Sequence, residues 1–178
     1  VEDYSIAEWF QLYEVDITSF LVYYTGSLEV EDLVQDTFLI AMRKLSTFNG
    51  KSHPKTWLIS IARNLVIDRY RRTKVWEKIK YILSSEHPHS SDLEDITIKK
   101  FDNIHLYNAI NLLSSQNKEV VILRGILELS SKETSDVLKC SQNKVNVMYH
   151  RSLKKLKELL EKEGFYYEGS PRAPKEPS

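Results

Sequence analysis

The sequence predicts an all-α protein of two small helical domains joined by a flexible linker, and three observations carry that expectation. Apolar residues recur at steps of three and four from Ile6 onward, the spacing that lines one face of a helix. Residues 84–100 (SSEHPHSSDLEDITIKK) are polar, interrupted by Pro88 and without sustained periodicity, as linkers are. Beyond them, Ser130 is followed three residues later by Glu133, a helix-capping pair, and a tight turn then leads into a long basic helix. The expected organisation is a first domain over 1–83, a linker over 84–100, a second domain over 101–163 and a disordered tail over 164–178 that carries Pro171, Pro174 and Pro177.

In chain order, Ile6, Phe10, Tyr13, Ile17, Phe20 and Tyr24 mark a first helix over about residues 5–24, which Gly26 and Ser27 break. A second begins near Val30, with Leu33, Val34, Thr37, Phe38, Ala41 and Leu45 inward and Asp32, Gln35, Asp36, Leu39 and Arg43 outward. Asn-Gly and His-Pro pairs make Ser46 to Pro54 a loop. A third helix follows from Lys55 to about Arg72, with Trp57, Leu58, Ile61, Ala62 and Leu65 as its core stripe and a basic continuation toward Leu83. Trp57 could stack on a base, but its place on the apolar stripe assigns it to packing. In the second domain, Ile104, Leu106, Tyr107, Ile110 and Leu113 mark one helix, and Val120, Val121, Leu123 and Leu127 another over about Gln116 to Leu127. The capped helix ends near Leu138. After Lys139-Cys140-Ser141 a final helix begins, capped by Ser141, with Val145, Tyr149, Ser152, Leu156 and Leu159 inward. Two helices joined by so tight a turn make a helix-turn-helix.

Charge is segregated although the formal net value is zero. Residues 1–42 hold nine acids and no lysine or arginine, whereas residues 63–80 hold seven bases against Asp68 and Glu77. Bases again predominate from Lys139 to Lys162. The acidic end repels phosphate, so free duplex should be bound weakly, and a basic protein partner for that end would remove the conflict. A lone cysteine, Cys140, cannot pair within the chain or build a cysteine zinc site and is expected to be small, buried and inert. His87 and His89 flank one proline without a third ligand and read as linker residues, so no metal and no cofactor is expected. No apolar run suits a membrane span and no leader pattern opens the chain, which points to a cytoplasmic protein without direct membrane insertion. No phosphate loop or nucleophile and base pair suggests an enzyme.

Four blocks then resemble a known family. They are Glu31-Asp32-Leu33-Val34-Gln35-Asp36-Thr37-Phe38, Phe48-Asn49-Gly50, Thr56-Trp57-Leu58-Ile59-Ser60-Ile61-Ala62-Arg63-Asn64 and Ile67-Asp68-Arg69-Tyr70-Arg71-Arg72. In this order they resemble the extracytoplasmic-function (ECF) sigma factors of the sigma-70 family, over about residues 5–162. The wording at Lys55 to Arg63 and at His150-Arg151 looks closest to the X-type factors of bacilli.

The resemblance implies a sigma region 2, a sigma region 4 and nothing folded between them. It implies an alternative sigma factor, monomeric when free, that directs RNA polymerase core to promoters, with envelope or surface-stress genes as its targets. Asp32, Gln35, Asp36, Leu39 and Arg43 would dock on the β′ clamp helices of polymerase, and the second domain would meet the β flap. Asn49, Lys51, Ser52 and His53 would capture a flipped base of the −10 element, with Asn64, Asp68, Arg71 and Arg72 as a polar ridge beside it. Lys144, Asn146, Val147, His150, Arg151 and Lys154 would read the −35 element in the major groove. The family also implies a membrane-anchored anti-sigma factor and association with the nucleoid when active. The chain departs from the common pattern at Asn146 and Met148, and at Lys139 and Cys140, where glycine and an aliphatic residue are usual. A conventional helix-turn-helix repressor or activator is the competing expectation. It would use residues 101–162 alone and leave the acidic face at 31–43 without a purpose.

Overall fold

Gly26 decides where the first helix stops. In the computed structural model, which describes residues 5–83 and 104–162, α1 covers Ile6–Thr25 and closes on Gly26 at φ 77°, whose N–H donates to Val22 O at 3.0 Å. Glycine enters this left-handed cap without a Cβ penalty. α2 covers Glu31–Lys44, with Glu31 and Asp32 in its first turn and Arg43 and Lys44 in its last, the order that the helix dipole favours. A short 3₁₀ turn at Leu45–Thr47 leads to the loop, and α3 runs over Pro54–Leu83, with proline in its first turn. α3 therefore includes the basic continuation beyond Arg72.

α1, α2 and α3 all pack on one another. Ile17, Phe20 and Leu21 from α1, Val34, Phe38 and Ala41 from α2, and Leu58, Ile59 and Ala62 from α3 are buried between them. The buried face of α1 is wider than one stripe. Trp9, Leu21, Val22 and Tyr23 are buried, while Ile6, Phe10, Tyr13 and Tyr24 are only half-buried. A helix held between two neighbours needs apolar residues around more of its circumference than the periodicity of one face shows. Trp57 is half-buried, with its ring 5.1 Å from Phe48 and 6.0 Å from Trp9, edge-on to the latter, so it serves packing as expected. Lys55 pairs with Asp16 at 3.4 Å and joins the start of α3 to α1.

The second unit contains α4 (Ile104–Asn111), α5 (Ser115–Val121), α6 (Ser131–Leu138) and α7 (Gln142–Lys162). α5 passes into a π-helical turn at Ile122–Ile126, so the helix expected to Leu127 is wound differently over its last turn. The capping box is present: Glu133 N–H donates to Ser130 Oγ at 3.1 Å, and Ser130 N–H donates to Glu133 Oε2 at 2.8 Å. Ser141 caps α7 by accepting from Lys144 N–H at 3.3 Å. Ile110, Val120, Ile122, Leu123, Leu129 and Val145 are among the fully buried side chains. Lys118 donates to Asn111 Oδ1 at 2.6 Å, and burial holds its ammonium below the ordinary lysine range.

Cys140 is half-buried, not buried, because the turn that carries it is near the surface. Lys139 adopts φ 53°, the left-handed conformation that makes glycine the usual residue here. Lys139→Gly should therefore raise stability by about 1 kcal/mol in urea unfolding. A fall in stability would show that the lysine makes compensating contacts. His87, His89, the linker and the tail lie outside the described residues. Among the described residues, no helix is long and apolar enough to cross a membrane.

Candidate protein- and nucleic-acid-binding surfaces

Three surfaces collect the candidate residues. The first is the outer face of α2. Asp32, Gln35, Leu39 and Arg43 are exposed there, at helical spacings that place them on one side. Asp36 is half-buried and is bound by Arg69 of α3 through Nη2 to Oδ2. Met42 lies beside Leu39 at i+3. With 56% and 46% of their surfaces exposed, the two add an apolar patch to the acidic face. The sequence reading missed Met42, although its spacing from Leu39 was the available signal.

The second surface is the loop before α3 and the outer side of that helix. Asn49 Oδ1 accepts from Lys51 N–H at 3.1 Å, and Gly50 at φ 70° completes the bend. His53 caps α3: its Nδ1 accepts from Lys55 N–H at 3.2 Å, and its carbonyl accepts from Trp57 N–H at 3.1 Å. Its ring meets Tyr13 edge-on at 5.7 Å. With Asn49 Oδ1 and His53 Nδ1 fixing the loop, the Asn49 amide nitrogen and His53 Nε2 are the atoms that a base edge could meet. Lys51 is exposed and Ser52 half-buried.

On α3, Asn64, Asp68, Arg71 and Arg72 are exposed. Asn64, Asp68 and Arg72, together with Arg69, line a cleft of about 390 Å³ whose other side carries Asp36 and Lys44 of α2. Arg71 is not among its lining residues. The structure thus brings one residue from the first candidate set into the same cleft as three from the second. Tyr70, 60% exposed with Lys74 Nζ 4.7 Å from its ring centroid, is a further aromatic on this basic helix that sequence reasoning did not select.

The third surface is the outer face of α7, where Lys144, Asn146, Val147, His150, Arg151 and Lys154 are all exposed. Asn146 differs from the others. Its Oδ1 accepts from Ser131 Oγ–H at 2.8 Å, which ties α7 to the first residue of α6. Arg124 braces the opposite side of α7, with its guanidinium 5.3 Å from the Tyr149 ring centroid and Nη1 donating to Leu129 O at 2.6 Å.

Residues 9–75 match the family described as Sigma-70 region 2, and residues 105–156 match Sigma-70, region 4. The chain is 31% identical over 166 residues to the ECF RNA polymerase sigma factor SigX of Bacillus subtilis, covering 86% of this chain and 84% of that protein. It is 32% identical over 170 residues to the RNA polymerase sigma factor YlaC of the same organism, covering 89% and 93%. Among solved structures it resembles the sigma factor RpoE, determined in complex with the anti-sigma factor NepR from Bartonella quintana. The TM-score is 0.71 at 24% identity, over 87% of this chain and 96% of that one, a likeness of fold. CnrH, solved in complex with the cytosolic domain of CnrY, gives a TM-score of 0.63 at 22% identity, over 89% and 88%.

Proposed function

The chain belongs to the ECF sigma factors of the sigma-70 family, and on that premise we propose how its surfaces divide the work of starting transcription. As a member it is an alternative sigma factor that directs promoter-specific transcription initiation. In our reading, residues 1–83 dock on polymerase core and open the −10 element, residues 101–163 read the −35 element, and residues 84–100 tether them. The observation that carries this is the separation of exposed charge. An acidic and apolar face lies on α2 within the match to region 2, and a basic face lies on α7 within the match to region 4.

The α2 face suits a basic helical partner such as the β′ clamp helices. Carboxylates at positions 32 and 36 would speed encounter and set register, and Leu39 with Met42 would supply the desolvated contact. The loop at 49–53 is held in shape by its own hydrogen bonds before any base arrives, so less ordering is needed on binding. On α7, Lys144, Arg151 and Lys154 meet phosphates or guanine edges, and Val147 suits a thymine methyl. Asn146 serves mainly to fix α7 against α6.

RpoE was solved with the anti-sigma factor NepR and CnrH with the cytosolic domain of CnrY, which supports a protein partner of the anti-sigma kind here. In our reading that partner is membrane-anchored and covers these faces until a surface-stress signal releases a cytoplasmic, monomeric factor to polymerase and the nucleoid. Two variants test the division on promoters recovered with the wild-type holoenzyme. Arg151→Ala should lower promoter affinity by roughly tenfold or more. Asn49→Ala should leave that affinity nearly intact and reduce permanganate reactivity of unpaired −10 thymines. If both variants change the same step, the two surfaces are not specialised as proposed.

A further inference from the structure

Arg69 stands between the two tasks of the first unit. It pairs with Asp36, a docking candidate, from a position on the cleft wall that also carries Asn64, Asp68 and Arg72, which are DNA candidates. In the free chain the Asp36 carboxylate therefore already has a cationic partner, and the Arg69 guanidinium already has an anionic one. Each neutralises the other and lowers its attraction for an external partner. We propose that Arg69 is a positioning residue that couples the two tasks: it occupies Asp36 until a cation of polymerase core replaces it, and its released guanidinium then meets a promoter phosphate. This rests on the docking reading of α2.

The size of the effect follows from exposure. Arg69 and Asp36 keep 48% and 42% of their side-chain surfaces in solvent. A pair this exposed shifts an equilibrium by no more than about fivefold, so the device modulates and does not gate. Coupling between two binding events is reciprocal, so DNA at the cleft must tighten core docking by the same factor that core docking tightens DNA. The factor should shrink as salt rises.

The test uses the full-length chain, fluorescently labelled, titrated with Bacillus subtilis polymerase core at low salt. Arg69→Gln should bind core about threefold more tightly than wild type, because docking no longer breaks the internal pair. In an Asp36→Asn background the same substitution should have no effect. With a forked promoter fragment, the holoenzyme carrying Arg69→Gln should show a log–log salt slope smaller by about one phosphate contact. Unchanged or weaker core binding by Arg69→Gln overturns the proposal, as does tightening that persists without Asp36. Asp32→Lys, outside the pair, checks the reading beneath it. If Asp32→Lys weakens core binding while Arg69→Gln does nothing, the coupling role alone fails. If Asp32→Lys has no effect either, the docking face fails with it.

Discussion

Reversing two charges on α2, Asp32→Lys with Asp36→Lys, should reduce affinity for polymerase core by roughly a hundredfold or more while leaving the helical circular-dichroism signal unchanged. Close charge pairs across an interface couple by about 1.5–7 kcal/mol, and reversal replaces attraction with repulsion at two points of one face. The internal cost is small by comparison. Asp32 is exposed, and the Asp36 to Arg69 pair is half in solvent, where such pairs contribute at most about 1 kcal/mol to stability. Binding and folding effects therefore separate. Titration of labelled variant with core measures the first, and a urea midpoint measures the second. Unchanged core affinity in a folded variant would move the docking face away from α2.

The second large effect is on stability. Phe20 is fully buried between α1 and its neighbours and stacks on Tyr24 with 5.0 Å between ring centroids. Phe20→Ala removes that packing and leaves a cavity, at a cost of about 3–5 kcal/mol. For a unit of this size, that corresponds to a fall in thermal midpoint of roughly 12 °C or more. α2 packs on the same core, so the variant should also lose core binding at growth temperature through loss of the folded docking face. Val15→Ala, at a site 78% exposed on the same helix, should change stability by less than about 0.5 kcal/mol. Similar midpoints for the two variants would contradict the buried three-helix core.

Features set by neighbours in sequence were legible before the fold was known. The capping box at Ser130 and Glu133, the Gly26 stop, the Asn49-Gly50 bend and the Ser141 cap each depend on a few consecutive residues, and all take their expected forms. Features set by distant segments were not. Burial of Ile59 follows from the packing of three helices and lies outside the stripe predicted for α3. The link from Arg69 to Asp36 spans 33 positions and gives Asp36 an internal partner that no periodicity reveals. Asn146, chosen as a DNA contact for its place on α7, also fastens that helix to Ser131, a role fixed by the approach of α6. The π-helical turn at Ile122–Ile126 escaped for a third reason: its apolar pattern differs little from that of an ordinary helix end.

These contacts explain why a neutral chain can serve DNA. Acidic groups predominate on α1 and the outer face of α2 and basic groups on α3 and α7, and where the two kinds meet, as at Asp16 with Lys55 and at Asp36 with Arg69, they pair internally. Specific DNA contact is then expected of the assembly with polymerase, with little from the chain alone.

Sequencing the 5′ ends of transcripts made from a promoter library, by Bacillus subtilis polymerase core with and without the purified chain, reaches the centre of this reading. Discrete start sites should arise only when the chain is present, each preceded by shared sequence at about −10 and −35. An unaltered transcript population, or tight and specific binding of the chain to duplex DNA without core, would refute it.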